Sequence, residues 1–420
     1  MLRHLTSSGH SGLRARVLVV FCGVAAVPIA AHAQPAITDL GTLMGTSNAA
    51  SVNADGTAVV GTSEWVPLPG GTRPFKWTSG SGMVNLGTLG GINSTGYAVS
   101  GDGLVVVGAS ETAFRWSPVM GMLSLGALPG GIGSIACGVS GDGSVICGMS
   151  SSSVGPRAFR WAGTLLENLG VLTGGSNSWA YAVSADGSAI VGESDMSGGN
   201  WSAFRWTSGA GMVGLGTIPG ASAGYGSWAY GLNADGSVVV GKGGTPFGTR
   251  AFRWTSGGGM VSLGAFPGGT TTEARGVSGD GATVVGFGMT SLGPRAFLWT
   301  SALGLVDLNA YLPTLGVSLT GWTLEQARGI STDGKAVVGY GIHNGEMRAW
   351  LVTGLGVAPC YANCDASTAL PVLNVNDFSC FLNRFAAGDS WANCDGSTVA
   401  PVLNVNDFTC YLNAYAIGCP

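Results

Sequence analysis

Three short phrases rotate along this chain, each occurring seven times, and the rotation starts out of phase. The first, typified by "VSGDGSVICG", carries an Asp-Gly pair at Asp55, Asp102, Asp142, Asp186, Asp235, Asp280 and Asp333, at intervals of 40 to 53 residues. The second is "AFRW"-like, ending at Trp77, Trp116, Trp161, Trp206, Trp254 and Trp299, with a degenerate seventh copy, "AWLV", ending at Val352. The third is "LGxLPGG"-like, with its leucine at Leu40, Leu86, Leu125, Leu169, Leu215, Leu263 and Leu308. Each unit reads as four short strands. An Asp-Gly pair between two apolar runs is a hairpin signal, because glycine accepts the positive φ of the turn. Four strands in a unit of this length make a propeller blade. The 74 glycines and 17 prolines therefore belong to a periodic array of strands and turns, not to a low-complexity chain.

The phase shift decides between architectures. "ITDLGTL" (37–43) is the end of a unit with no unit before it, and the last unit, from about Ala327 to Val352, lacks its own fourth strand. In a closed ring the first strand completes the last blade and hides its edge. A β-helix or other stacked sheet offers no such reason. The expected fold is all-β, a seven-bladed β-propeller closed by an N-terminal strand lying alongside 345–352, followed by a small disulfide-rich domain.

Alternation within "AFRW" puts Phe and Trp on one face of the blade and Arg on the other. The aromatics are expected to fill the gaps between blades. Arg115, Arg160, Arg205 and Arg253 recur on the opposite face, where each would meet a turn aspartate or a carbonyl, or where together they would converge on an anion near the axis. Cys137 and Cys147 are placed symmetrically about Asp142, which suggests a cross-strand disulfide in an exported protein.

Export itself is read from residues 1–33. Arg3, Arg14 and Arg16 precede the apolar run 17–30, and "AHAQ" offers an A-x-A cleavage site. The run is short for a bilayer span, the alternative reading, and no later segment has the length of a membrane helix. Three of the 18 basic residues and none of the 22 acidic ones lie in this leader, so the remainder carries a net charge near −7. A nucleic-acid partner, which requires a basic surface, is excluded on that ground. One histidine, His343, remains outside the leader, and any Ser-His-Asp, Cys-His or His-rich metal site would have to use it.

The Asp-Gly turns and "TSGxGM" turns share one face of the ring and are nearly uniform. The opposite face carries turns and crossings of varied length, where binding usually resides. Trp65, Trp179, Trp201, Tyr225, Trp228 and Trp322 fall there and are the candidate ligand-binding residues, suited to stacking on a sugar or anchoring a protein. Glu64, Glu111, Glu193, Glu273 and Glu325 are scattered over different loops, with no paired-carboxylate motif. The functional expectation is an exported binding protein with a glycan or protein ligand on its loop face. The alternatives are a polysaccharide lyase or glycoside hydrolase using loop carboxylates and aromatics, and a structural surface component.

The repeat region runs over 34–356, and composition changes at 357–420, which holds six of the nine cysteines. "NCDASTALPVLNVNDFSCFLNRFAAG" (363–388) and "NCDGSTVAPVLNVNDFTCYLNAYAIG" (393–418) are copies offset by 30. In each, "LNVNDF" leads into a helix-like run, with Asp377 and Asp407 at the helix starts, where a carboxylate binds free amides. Six cysteines allow about 15 pairings, and the duplication favours Cys364–Cys380, Cys394–Cys410 and Cys360–Cys419.

On these phrases the repeat region resembles the HAF family of bacterial extracellular repeats, with "RAF" at 157–159, 250–252 and 295–297 in place of His-Ala-Phe. The tail resembles a cysteine-bearing dockerin of exported bacterial proteins. That resemblance implies paired calcium-loop–helix units that dock onto a cohesin-like surface receptor. It implies Ca²⁺ as cofactor, held by Asp365, Ser367, Asn374 and Asp377 in one loop and by Asp395, Ser397, Asn404 and Asp407 in the other. Each loop is one residue longer than the family's twelve and lacks its central Asp-Gly.

Overall fold

The computed structural model describes residues 35–67, 70–221, 224–355, 375–388, 392, 404, 405, 407, 408, 411 and 412. Residues 35–355 form seven four-stranded antiparallel sheets, the blades of a β-propeller. The innermost strands are Ser47–Val52, Thr95–Val99, Ser134–Val139, Ser178–Val183, Ser227–Leu232, Thr272–Val277 and Trp322–Ile330. Blade seven contains Trp322–Ile330, Val337–His343 and Glu346–Thr353, and its fourth strand is Ala36–Asp39. The register is Ala36 on Thr353, Ile37 on Val352, Thr38 on Leu351 and Asp39 on Trp350. The Leu40 amide then donates to Ala349 O at 3.0 Å. The out-of-phase "ITDLGTL" is the closure strand.

Seven apolar clusters hold the blades together. In each, an aromatic of one blade packs on a branched residue of its predecessor: Phe114 with Val60, Phe159 with Val107, Phe252 with Val191. The six phenylalanines of the "AFRW" phrase are fully buried, and Trp350 of "AWLV" fills the same place in blade seven. Burying a phenylalanine stabilises by about 1.5–3 kcal/mol, so these interfaces dominate the apolar contribution.

The recurring basic residue faces the neighbouring blade. Lys76 Nζ, Arg205 Nε and Arg253 Nε donate to the carbonyls of Gly103, Gly236 and Gly281, each in the next blade's Asp-Gly turn, at 2.6, 2.8 and 3.1 Å. Arg160 pairs instead with Glu167 at 3.5 Å. Of these arginines, Arg205 and Arg253 take the expected carbonyl partner.

The Asp-Gly turns make a second closed circuit. Ala54 N donates to Gly101 O, Asp102 N to Gly141 O, Gly141 N to Ala185 O and Ala185 N to Ala234 O. Ala234 N donates to Gly279 O, Gly279 N to Thr332 O and Thr332 N back to Ala54 O. Each turn is also fixed from within. Asp142 Oδ1 accepts from Ser140 Oγ at 2.7 Å and from Ser144 N at 3.0 Å, and these bonds hold its carboxyl down at about 2.

Cys137 and Cys147 are free thiols, not the expected disulfide. The inner strand bulges between Ala136 and Gly138, so Cys147 faces Gly138 and Cys137 is thrown out of register. Symmetry about the turn does not place two residues opposite each other when one strand carries an extra residue. Burial pushes the Cys137 thiol up to about 12, and only the thiolate is nucleophilic. We expect the Cys137 peptide to resist iodoacetamide at pH 8 in the native protein and to be alkylated after denaturation. Rapid native labelling, read by peptide mass spectrometry, would contradict that placement.

The crossing into blade seven carries a helix not anticipated from sequence, Leu308–Thr314, capped by Asp307 Oδ1 accepting from Asn309 N at 2.8 Å. Leu308 and Leu312 are fully buried in the cluster between blades six and seven.

In the tail, the helix Val375–Ala386 carries Asp377 in its first turn. Asp407 Oδ2 accepts from Asn404 N at 2.7 Å, the amide-binding role expected of it. Phe381 of one copy stacks on Tyr411 of the other at 4.0 Å, so the duplicated halves share a core. Cys380 is disulfide-bonded. Cys360, Cys364, Cys394, Cys410 and Cys419, and Asp365, Ser367, Asn374, Asp395 and Ser397, lie outside the described residues. Among the described residues no group of three His, Cys, Asp or Glu side chains could hold a metal, and no helix is long and apolar enough to cross a membrane.

Candidate functional site

The bulge at Cys137 is one of seven. In every blade the inner strand slips register at the same place, around Ala50, Tyr97, Cys137, Tyr181, Tyr230, Arg275 and Arg328. The extra residue is left out of the ladder and its side chain is re-aimed. All seven line the cavity on the ring axis. Each stands five residues before a turn aspartate, after an alanine or glycine.

The second strand of each blade accommodates the bulge with a glycine: Gly61, Gly108, Gly148, Gly192, Gly241, Gly286 and Gly339. A Cβ on any of them would lie 1.8–2.0 Å from an inner-strand carbonyl oxygen. The final glycine of the "VSGDGSVICG" phrase is therefore a consequence of backbone approach.

The axial cavity widens towards the face of varied turns and crossings. Near the Asp-Gly circuit it holds about 200 Å³. At the opposite mouth it holds about 450 Å³, lined by Asn48, Thr95, Tyr97, Ile135, Cys137, Met149, Trp179, Tyr181, Tyr230, Arg275 and Arg328 among others. This is within the usual size of a small-ligand site. Exposed apolar side chains, Ile92, Ile132, Phe247 and Leu292, stand on the turns and crossings of this face.

The mouth is charged as well as aromatic. Arg275 stacks on Tyr230, its Cζ 4.1 Å from the ring centroid, and Tyr230 meets Tyr181 edge-on at 5.3 Å. Glu273 bridges Lys242 at 3.0 Å and Arg275 at 2.6 Å. Burial pulls the Lys242 ammonium down, but the neighbouring Tyr230 and Glu273 outweigh it and hold it above its ordinary range. Arg328 lies over Tyr340 at 5.4 Å.

Glu193 is buried beside this group. Its Oε1 accepts from the Tyr181 hydroxyl at 2.8 Å, while its Oε2 has no partner. Burial pushes its carboxyl up to about 7, although the Tyr181 bond and Lys242 favour the anion. The same burial, with Glu193 alongside, raises Tyr181. A carboxyl whose folded pKa exceeds its unfolded value of 4.5 favours folding fully below that value, and the advantage is lost as pH rises through about 7. Glu193→Gln should therefore gain stability over wild type as pH rises from 4 to 8, by on the order of 3 kcal/mol. Urea midpoints at the two pH values test this, and a constant difference would refute it.

The six aromatics expected on loops are divided. Trp179 and Trp228 sit on inner strands and Trp201 and Trp322 at strand starts, because the strands of blades four, five and seven extend into this face. Trp179 lines the mouth and stacks on Trp201 at 5.1 Å, and Lys242 lies 5.2 Å over Trp228. Trp65 receives Arg73 at 5.9 Å, and Tyr225 is partly exposed beside Gly244. Trp322 stacks on His343 at 4.2 Å, and His343 Nδ1 lies 2.8 Å from Asp39 of the closure strand. Glu64 meets the Thr46 amide at 3.1 Å, whereas Glu193 and Glu273 bond to residues of the axial group.

No protein-family pattern matches the chain, and no curated protein is significantly similar to it. Solved structures share its fold. An oligogalacturonate lyase of Vibrio parahaemolyticus is 9% identical with a TM-score of 0.51, covering 76% of this chain and 93% of the lyase. An oligogalacturonate lyase in complex with manganese is 12% identical with a TM-score of 0.52, covering 76% and 92%. Puromycin hydrolase is 13% identical with a TM-score of 0.50, covering 77% of this chain and 56% of the hydrolase. At such identities the likeness is one of propeller architecture.

Proposed function

We propose that this is an exported binding protein whose propeller receives a glycan or protein ligand at the axial mouth. The dockerin-like tail would fasten it to a cohesin-like receptor on a surface or extracellular assembly, with Ca²⁺ ordering the tail loops. The observation that carries the reading is the ring of bulged residues. A scaffold needs the bulge only for its shape, yet five of its seven positions hold Tyr or Arg at the mouth of a cavity. Large aromatics and arginine are the side chains that dominate recognition surfaces. Apolar side chains exposed around the same face suit a partner that covers it.

The alternative of a lyase or hydrolase is favoured by Glu193, whose carboxyl near 7 suits proton transfer. Its burial on Tyr181 argues for a structural acid instead.

The test is array binding by the full mature chain. Tyr97→Ala is expected to lose about tenfold or more in affinity for the captured ligand, with the captured glycans left intact. Product release abolished by Glu193→Gln would move the assignment to the enzyme. For the tail, the full chain should capture a surface protein that a chain ending at Gly356 does not, and chelator should weaken the capture.

A further inference from the structure

The reading above leaves the chemistry of the ligand open, and the charges at the mouth narrow it. Arg275 and Lys242 share one carboxylate, Glu273, so this trio carries one uncompensated positive charge. Glu193, the other acid of the group, is buried and already engaged by the Tyr181 hydroxyl. Arg328 adds a second positive charge. Among the described residues its guanidinium makes no hydrogen bond or ion pair, and it lies over the Tyr340 ring. Arg275 also keeps a buried Nε–H without an acceptor. Both side chains line the same 450 Å³ mouth.

The Arg328 guanidinium is only partly buried, so its N–H groups stay open to an acceptor that enters the mouth. The chain as a whole is acidic, so this excess of positive charge is local. Tyr97 and Trp179 line the same space, and aromatic rings are suited to packing on a sugar ring.

We infer that the axial mouth binds a carboxylate-bearing saccharide, a hexuronate unit, with its carboxylate received by the Arg328 guanidinium and its charge matched by the surplus positive charge of Arg275, Lys242 and Glu273. A monoanion matches the site better than a phosphate dianion, because Glu273 holds a negative charge on Arg275 already. A planar carboxylate also fits a guanidinium fork through two parallel bonds. The inference rests on the axial mouth being the ligand site.

Isothermal titration of the full mature chain tests it with three probes: a hexuronate trisaccharide, its neutral carboxyl-reduced counterpart, and inorganic phosphate. The uronate is expected to bind about tenfold or more tightly than the neutral sugar, and Arg328→Gln to remove that preference. Arg328→Gln breaks no hydrogen bond or ion pair of the fold and loses only a partly exposed contact with Tyr340, so its urea midpoint should stay close to wild type, and binding lost with a near-unchanged midpoint is the supporting result. Equal binding of charged and neutral sugars, or phosphate binding as tightly as the uronate, would overturn the carboxylate assignment. Failure of the wider reading would look different: no captured ligand of any class would respond to Tyr97→Ala.

Discussion

A chain lacking residues 35–40 is expected to lose the closed ring and to associate rather than remain a monomer. Four backbone pairs join Ala36–Asp39 to blade seven, and without them Glu346–Thr353 becomes a long open edge beside buried Trp350. Exposed edges of this kind recruit other strands. The apolar loss is also large. Leu40 is 3% exposed in the cluster joining blades seven and one, and Ile37 packs against the cluster joining six and seven. Leu40→Ala alone should cost about 2–5 kcal/mol, a large part of a usual total of about 5–15 kcal/mol. The polar latch goes too, since Asp39 meets His343 and the Leu40 amide donates to Ala349 O. Urea denaturation and gel filtration of the shortened chain measure both effects. A monomer with an unchanged midpoint would mean that the ring does not depend on this strand.

Gly192→Ala should be among the most damaging single substitutions in the propeller. Its Cβ would lie 1.8 Å from Trp179 O and within 2.9 Å of Trp179 C and Ala180 Cα, all backbone atoms of the bulged inner strand. Overpacking a core side chain costs about 1–3 kcal/mol when neighbours can turn aside. Here the ladder and the bulge would have to move together, so a loss above about 3 kcal/mol is expected. Gly209→Ala is the control, because its Cβ would meet nothing within 4 Å and its φ is not in the left-handed region. Equal urea midpoints for the two variants would show that the bulge tolerates a side chain opposite it.

The glycine example shows how the site hid in plain view. The final glycine of each "VVG" or "ICG" and the small residue six before each turn aspartate were both legible as repeats. What they enforce together, a bulge that swings the intervening residue onto the axis, requires knowing that the two strands pair. Arg275 and Arg328 stand in that slot, unlike Arg205 and Arg253 of "AFRW", which reach neighbouring turns. The cysteine pair failed for the same reason: counting outward from Asp142 ignores the extra residue at Cys137. Trp179 fell in the right region, but Trp65 and Trp322 lie with other partners in blades one and seven.

The order of residues by itself determined the blade count, the closure strand and the faces of "AFRW", because strand alternation, turn chemistry and the phase of a repeat are local properties. The tertiary structure alone decided which side chains meet at the axis, since residues as distant as Tyr97 and Arg328 become neighbours only when seven equivalent bulges are bent into one circle. Register slips of a single residue set those neighbours, and they arise from backbone pairing between strands, which no one segment encodes.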